Sequence, residues 1–168
     1  MNIGCSLLLA GLGLSQLGAT PARRLEKANV LPLALDDAFQ FRKQELFLND
    51  PQFTKGGGPQ ALNFERQHVE FKAVTAAERA ARRGHYFTFF WRTDRKSDVT
   101  IRLEYRQQNL GNYVVAQERD YEGVKGTQKS HFTVIGDDYL EDGRITSWRA
   151  LMIEDGKVVA LTQSYLWN

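Results

Sequence analysis

The chain has 168 residues, 42% hydrophobic and 25% charged, which suits one domain with a real core and excludes a disordered chain. Its net charge of +2 gives no ground for a nucleic-acid partner. The single cysteine, Cys5, excludes an intrachain disulfide and any multi-cysteine metal site.

Residues 3–19, "IGCSLLLAGLGLSQLGA", form an apolar stretch broken by Gly, Ser and Gln. A membrane-spanning helix needs about 20 strongly apolar residues. The segment reads instead as a secretory leader, with cleavage near Ala19 or Ala22. Two details oppose that reading: no Lys or Arg precedes the apolar run, and Arg23, Arg24 and Lys27 follow it. Ile3-Gly4-Cys5 resembles the end of a bacterial lipoprotein signal, although Asn2 fits that pattern poorly. The expectation is export to the periplasm or cell envelope. Lipidation of Cys5 is the alternative, and membrane contact is through the leader alone.

Residues 23–60 read as a linker holding one helix or strand. Asp36 or Asp37 could cap a helix that buries Phe39, Arg42 and Leu46, yet Phe39 and Phe41 also alternate as a strand. "NDPQFTKGGGPQ" (49–60) is a loop. Its glycines are no phosphate loop, because no Gly-Lys-Ser/Thr follows.

From residue 61 onward the pattern is a β domain. "FERQHVEFKAV" (64–74) reads as its first strand. Thr75 and Glu78 then have capping-box spacing ahead of alanines, and Gly84 stands where a helix would stop. Six strand-like segments follow: 85–93, 98–107, 113–121, 128–136, 144–154 and 157–167. The second alternates cleanly, which predicts Val99, Ile101, Leu103 and Tyr105 inward and Thr100, Arg102, Glu104 and Arg106 toward water. "EGVKGT" reads as a loop and "DDYLEDG" as a polar corner. Asp155-Gly156 signals a tight hairpin between the last two strands.

Seven strands separated by turn signals predict an all-β, antiparallel two-sheet sandwich with one short helix. The spacing resembles immunoglobulin-like and fibronectin-III-like domains at fold level only, without the bridging cysteines of antibody domains. The block "YFTFFWRT…DVTIRLEYRQ…GDDYLEDGRITSWRALM…GKVVALTQSYLW" also resembles bacterial exported β-rich proteins of no assigned activity. That likeness supplies no catalytic residues. The rival fold is an α+β curved meander with N-terminal helices, of the nuclear-transport-factor-2-like kind.

The residues name no reaction centre. His68, His85 and His131 have no partners at metal-ligand spacing. The 138–149 stretch fails the calcium-loop pattern, with Leu140 and Arg149 at ligand positions. No Gly-x-Ser-x-Gly elbow is present. The carboxylate pairs Asp137/Asp138 and Glu118/Asp120 read as exposed. Arg79, Arg82, Arg83, Arg92, Arg95 and Lys96 read as a solvated rim. The aromatic surplus says more: Phe87, Phe89, Phe90, Trp91 and Trp148, with Tyr165 and Trp167, crowd three strands. A face of such residues needs cover, either from residues 25–60 or from a partner. The leading expectation is a non-catalytic exported module without cofactor or metal, contacting a protein or envelope component, with a homo-oligomer open. The alternative is a small-ligand-binding or enzymatic cone, with an apolar pocket at Phe87, Phe89, Trp91 and Trp148.

Overall fold

The computed structural model describes residues 20–53 and 66–167. The protein is all-β: among the described residues antiparallel sheet dominates and helix is confined to short pieces. The strands are β1 (Arg23–Leu25), β2 (Phe39–Asn49), β3 (Gly84–Gln107), β4 (Val114–Ile135), β5 (Ile145–Glu154) and β6 (Lys157–Gln163). Two short helices, α1 (Ala76–Ala80) and α2 (Asp137–Asp142), precede β3 and β5.

Among the described residues all six strands share one sheet, in place of the expected seven strands in two sheets. The difference has a local cause. Segments 85–93 and 98–107 are two halves of one 24-residue strand, β3. Segments 113–121 and 128–136 are likewise halves of the 22-residue β4. The polar stretches between the halves read as turns, but they are bulges inside a continuous hairpin. The register shifts between Thr93 and Ser97 and again before Val99. Opposite, Gly123 and Gly126 adopt φ of 56° and 81°. A bulge kinks its strand and increases the local twist, so the hairpin bends here.

Two further expectations change. Residues 66–69 form a helical turn instead of a strand. Residues 23–25 and 39–49 are strands of the sheet rather than a linker outside it. Within the ambiguous stretch 36–48, everything from Phe39 on is strand, because Phe39 through Asn49 pair with Thr93 through Gly84 of β3. A bulge at Arg42 interrupts the alternation, which is why the letters also fitted a helix.

β3 is the spine. β4 runs along the whole of one edge. On the other edge β2 pairs with the first half, and β5 pairs with the second from Thr100 to Gln107. β6 follows β5, and β1 follows β4. The bend carries β2 against β6, although no strand ladder joins them. Inward side chains from both halves of β3, such as Phe89 and Leu103, therefore meet in one cluster with Phe132, Val134, Trp148 and Met152. Val99, Ile101, Leu103 and Tyr105 are buried as their period predicts. Near the bend, buried Ser130 satisfies two aromatic polar groups. Trp91 Nε1–H donates to its Oγ at 2.8 Å, and the Tyr121 hydroxyl shares a 2.6 Å hydrogen bond with the same oxygen.

The local signals mostly hold. Thr75 and Glu78 form the capping box of α1. Asp155 and Gly156, at φ 48° and 70°, make the two-residue turn between β5 and β6. Gly84, however, opens β3 rather than ending α1. A Cβ there would lie 2.1 Å from the Val134 carbonyl oxygen, so only glycine permits this close approach of β3 to β4.

The opposite face of the sheet overturns one expectation outright. Arg102 and Glu104, predicted to face water, are only 6% and 3% exposed, and Glu118 is buried as well. The N-terminal segment 20–36 crosses above them as a strap. β1 pairs with β4, and the Asn29 carbonyl accepts from Arg102 Nη1 at 2.8 Å. Leu31 packs on Leu151, Ile153 and Val158. Ala34 and Asp36 donate backbone N–H groups to the carbonyls of Val158 and Val159. Residues before β2 thus supply part of the cover that the apolar surplus requires.

Burial under the strap is tolerable because the charges alternate across strands. Arg149 Nε donates to Glu104 at 2.7 Å, Arg102 Nε donates to Glu118 at 2.7 Å, and Arg23 Nη2 reaches the other Glu118 oxygen at 2.8 Å. Arg102 also lies 3.5 Å from Glu104. Removing one member strands its partner without solvent, which costs about 3–5 kcal/mol. Arg102→Met is expected to lose about that much stability by urea unfolding. The double variant Arg102→Met/Glu118→Leu is expected to lose clearly less, and additive losses would contradict the buried ladder.

Candidate functional site

Of the five aromatic residues named as a candidate interaction or pocket face, four point to one side of the sheet and one to the other. Phe87, Phe89, Trp91 and Trp148 point inward and pack together, with ring centroids of Phe87–Trp148 at 5.9 Å and Phe89–Trp148 at 5.6 Å. They are core. Phe90 alone points outward, where Lys43 and Lys129 lie 5.7 and 6.0 Å from its ring centre. Alternation along one strand makes this split unavoidable. Cys5 and the leader through residue 19 lie outside the described residues, as do 54–65.

The histidines do not converge. His131 faces the outer surface and shares a 2.9 Å hydrogen bond with Thr88. His68 stands beside it on the wall of an outer groove of about 650 Å³, near Tyr86 and Phe90. His85 lies on the other side, in a different cleft. Among the described residues no three His, Cys, Asp or Glu side chains stand together as a metal site. The arginine-rich stretch is also dispersed. Arg95 bridges Asp36 and Glu154 at 2.7 and 2.5 Å, Arg92 holds Asp94, and Arg82 donates to the carbonyls of Val69 and Phe71.

What the bend creates is a cleft between β2 and the β5–β6 side of the sheet. It has a volume of about 440 Å³. Leu46 and Leu48 line it from β2, and Ile145 and Trp148 from β5. Phe87 and His85 come from β3, and Tyr165 and Leu166 from the segment after β6. That segment is fixed by a double tie to β5. Ser164 Oγ accepts from Trp148 N–H, and the Ser164 N–H donates to the Trp148 carbonyl. Trp167 is anchored beyond it, with Arg106 and Arg149 4.4 and 4.9 Å from its ring centre. Tyr165 nevertheless stays 96% exposed, Leu166 65% and Leu46 49%. The cleft is thus an apolar opening into the core.

A polar cleft of about 280 Å³ lies behind it, lined by Asp50, Arg83, Asn109, Tyr139 and Arg144 among others. His85 and Tyr139 stand between the two, their rings edge-on with centroids 5.7 Å apart. The Tyr139 hydroxyl donates to buried Asp50 at 2.5 Å. Burial first, then that carboxylate, pushes the phenol pKa up. Arg144 lies over the Phe53 ring at 4.0 Å. Sequence reading named His85 as a histidine without ligand partners and Arg83 as part of a solvated rim, and did not single out Arg144, because the end of β2, the start of β3 and the start of β5 meet only in the folded sheet.

Comparison with protein-family models, curated proteins and solved structures gives no match.

His85 is the titrating group of this cleft. Its pKa is lowered from 6.5 to about 4, chiefly by burial and then by the charge of Arg144, with Asp50 opposing. Its Nε2 accepts the Ile145 N–H at 3.1 Å, so the neutral ring is the form that fits. The unfolded chain takes up this proton as pH falls below 6.5, whereas the folded chain resists until about 4. Stability from this group is therefore complete above 6.5 and is lost as pH drops through that window, by about 3 kcal/mol. His85→Gln is expected to flatten most of the loss between pH 7 and pH 4 in urea midpoints. Equal acid sensitivity in the variant and wild type would contradict the assignment.

Proposed function

We propose that the protein is a non-catalytic, exported binding module, and that its ligand is a small apolar molecule held in the cleft between β2 and the C-terminal segment. The single observation carrying this reading is the opening itself. Leu46, Tyr165 and Leu166 stay exposed around a cleft with Phe87 and Trp148 on its walls. Exposed apolar groups gathered at a concavity favour a ligand, and about 440 Å³ falls within the range of small-molecule sites. In this reading the bent sheet plays the part expected of a sandwich, enclosing a core between two facing halves. The leader composition supports export, with the periplasm or envelope as the place of action.

A protein partner laid across a whole sheet face is less favoured. The strap already occupies the face opposite the core at the β5 end, through Leu31 and the charge ladder. Catalysis would need a reacting group in the cleft, and two of its polar members are already engaged. Ser164 Oγ accepts from the Trp148 amide, and His85 Nε2 accepts from Ile145.

The test is titration of the full chain with N-phenyl-1-naphthylamine, a neutral fluorescent probe. Saturable binding at one probe per chain is expected. Leu46→Asp should weaken it about tenfold, which corresponds to about 1.4 kcal/mol. Leu33→Asp, on the strap, should leave it unchanged. Absence of saturable binding, or equal binding by Leu46→Asp, would overturn the proposal.

A further inference from the structure

Among the described residues the wall of the apolar cleft holds no Lys, Arg, Asp or Glu. A charged ligand would give up its hydration there without a counter-charge, so a neutral occupant is favoured. The polar side chains on that wall are Thr146, Ser164, Tyr165, His85 and Trp148. A hydroxyl rotates to serve as donor or acceptor, so the first three select neither. His85 does select.

The Ile145 N–H donates to His85 Nε2 at 3.1 Å. Burial and the charge of Arg144 keep the ring neutral near pH 7. A ring nitrogen that accepts carries no proton, so the proton of the neutral ring sits on Nδ1. Phe87, stacked at 6.1 Å and 25°, and Tyr139, edge-on at 5.7 Å, hold the plane of the ring. A flip of the ring would take Nε2 away from Ile145. Among the described residues that hydrogen bond is the only one the ring makes, and Nδ1 is not one of the buried atoms left unpaired. Its N–H therefore opens on the cleft that the ring borders. The Trp148 indole N–H, the other group of fixed role, can also only donate. Both fixed groups thus call for an acceptor.

We infer that the ligand is a neutral apolar molecule with a carbonyl oxygen, a ketone or an ester, and that His85 Nδ1–H donates to that oxygen. A carbonyl supplies lone pairs and no proton, which suits a donor that cannot turn acceptor without releasing Ile145. A carboxylate brings similar oxygens with a charge that the wall does not match. An alcohol brings a proton that His85 cannot accept. His85 is then the residue that sets specificity, while the apolar wall supplies most of the affinity. This inference rests on the cleft reading given above and deepens it by naming the ligand class.

The experiment is displacement of N-phenyl-1-naphthylamine from the full chain by 2-acetylnaphthalene and by 2-isopropenylnaphthalene, which has the same outline with a methylene group in place of the oxygen. The ratio of ketone to alkene affinity is expected to fall about tenfold in His85→Phe, the size of one neutral hydrogen bond. In His85→Gln, whose amide can both accept from Ile145 and donate, much of the ratio should return. The carboxylate 2-naphthoate should compete worst. Nitrogen-15 spectra of the wild type give a readout that needs no variant to fold. They should show the His85 proton on Nδ1, with its resonance shifted and its exchange slowed by the ketone and not by the alkene. A proton on Nε2, an Nδ1–H resonance indifferent to the ketone, or an unchanged ratio in folded His85→Phe would overturn the assignment while leaving the cleft reading in place. Naphthoate as the best competitor would overturn the neutral ligand class. Failure of the probe itself to bind would remove both proposals together.

Discussion

Two strands of 24 and 22 residues, paired along their length, cannot remain a flat ribbon. Right-handed twist accumulates in a long antiparallel pair. Here the bulges between Thr93 and Val99, with Gly123 and Gly126 opposite, gather the curvature into one bend. That bend decides which residues can meet. It puts Phe89 from one half and Leu103 from the other into the same dry cluster. It also sets β2 and β5 on the same edge of β3 at different heights, and so leaves a cleft rather than a closed seam. Ser130 supports the arrangement from inside by satisfying the polar atoms of Trp91 and Tyr121.

The other side of the sheet solves a different problem. The β3–β4–β5 surface carries ionisable groups, and the strap removes them from water. Glu104 and Glu118 each accept from an arginine, and Arg102 also donates to a backbone carbonyl. A buried ionic set seldom adds net stability over an apolar core of the same shape. Its effect is on register. Glu118 is aligned with Arg102, and Glu104 with Arg149, only in the observed pairing. A slip of one residue would turn these charges into the aromatic core. The ladder and the aromatic cluster thus specify the same alignment from opposite faces.

Much of the sheet was legible in the letters, and what was not has physical causes. Strict alternation placed Val99, Ile101, Leu103 and Tyr105 correctly, Asp155-Gly156 marked its turn, and Thr75 with Glu78 marked the start of α1. Polar bulge residues such as Asp94, Arg95 and Lys96 hid the continuity of β3, since an exposed bulge and a turn have the same composition. β2 was ambiguous because the bulge at Arg42 breaks its period. Arg102 and Glu104 read as solvent-facing, since a single strand does not reveal its neighbours' charges. The aromatic residues chosen as a site are mostly core, and only Phe87 and Trp148 reach the cleft. Its rim residues, Leu46, Tyr165 and Leu166, come from distant parts of the chain. Only the last strand's aromatic tail, "SYLW", hinted that apolar groups continue past the sheet.

The functional reading depends on this geometry, because an apolar cleft exists only if β2 and β5 flank one continuous strand. Cross-strand nuclear Overhauser effects in an isotope-labelled sample test that most directly. The account predicts contacts from β3 to β4 on both sides of the bend, near Thr88–His131 and near Arg102–Glu118. On the opposite edge it predicts Leu46–Phe87 and then Leu103–Ala150. Residues 85–93 and 98–107 found in two separate sheets, without a shared β4 partner, would contradict it.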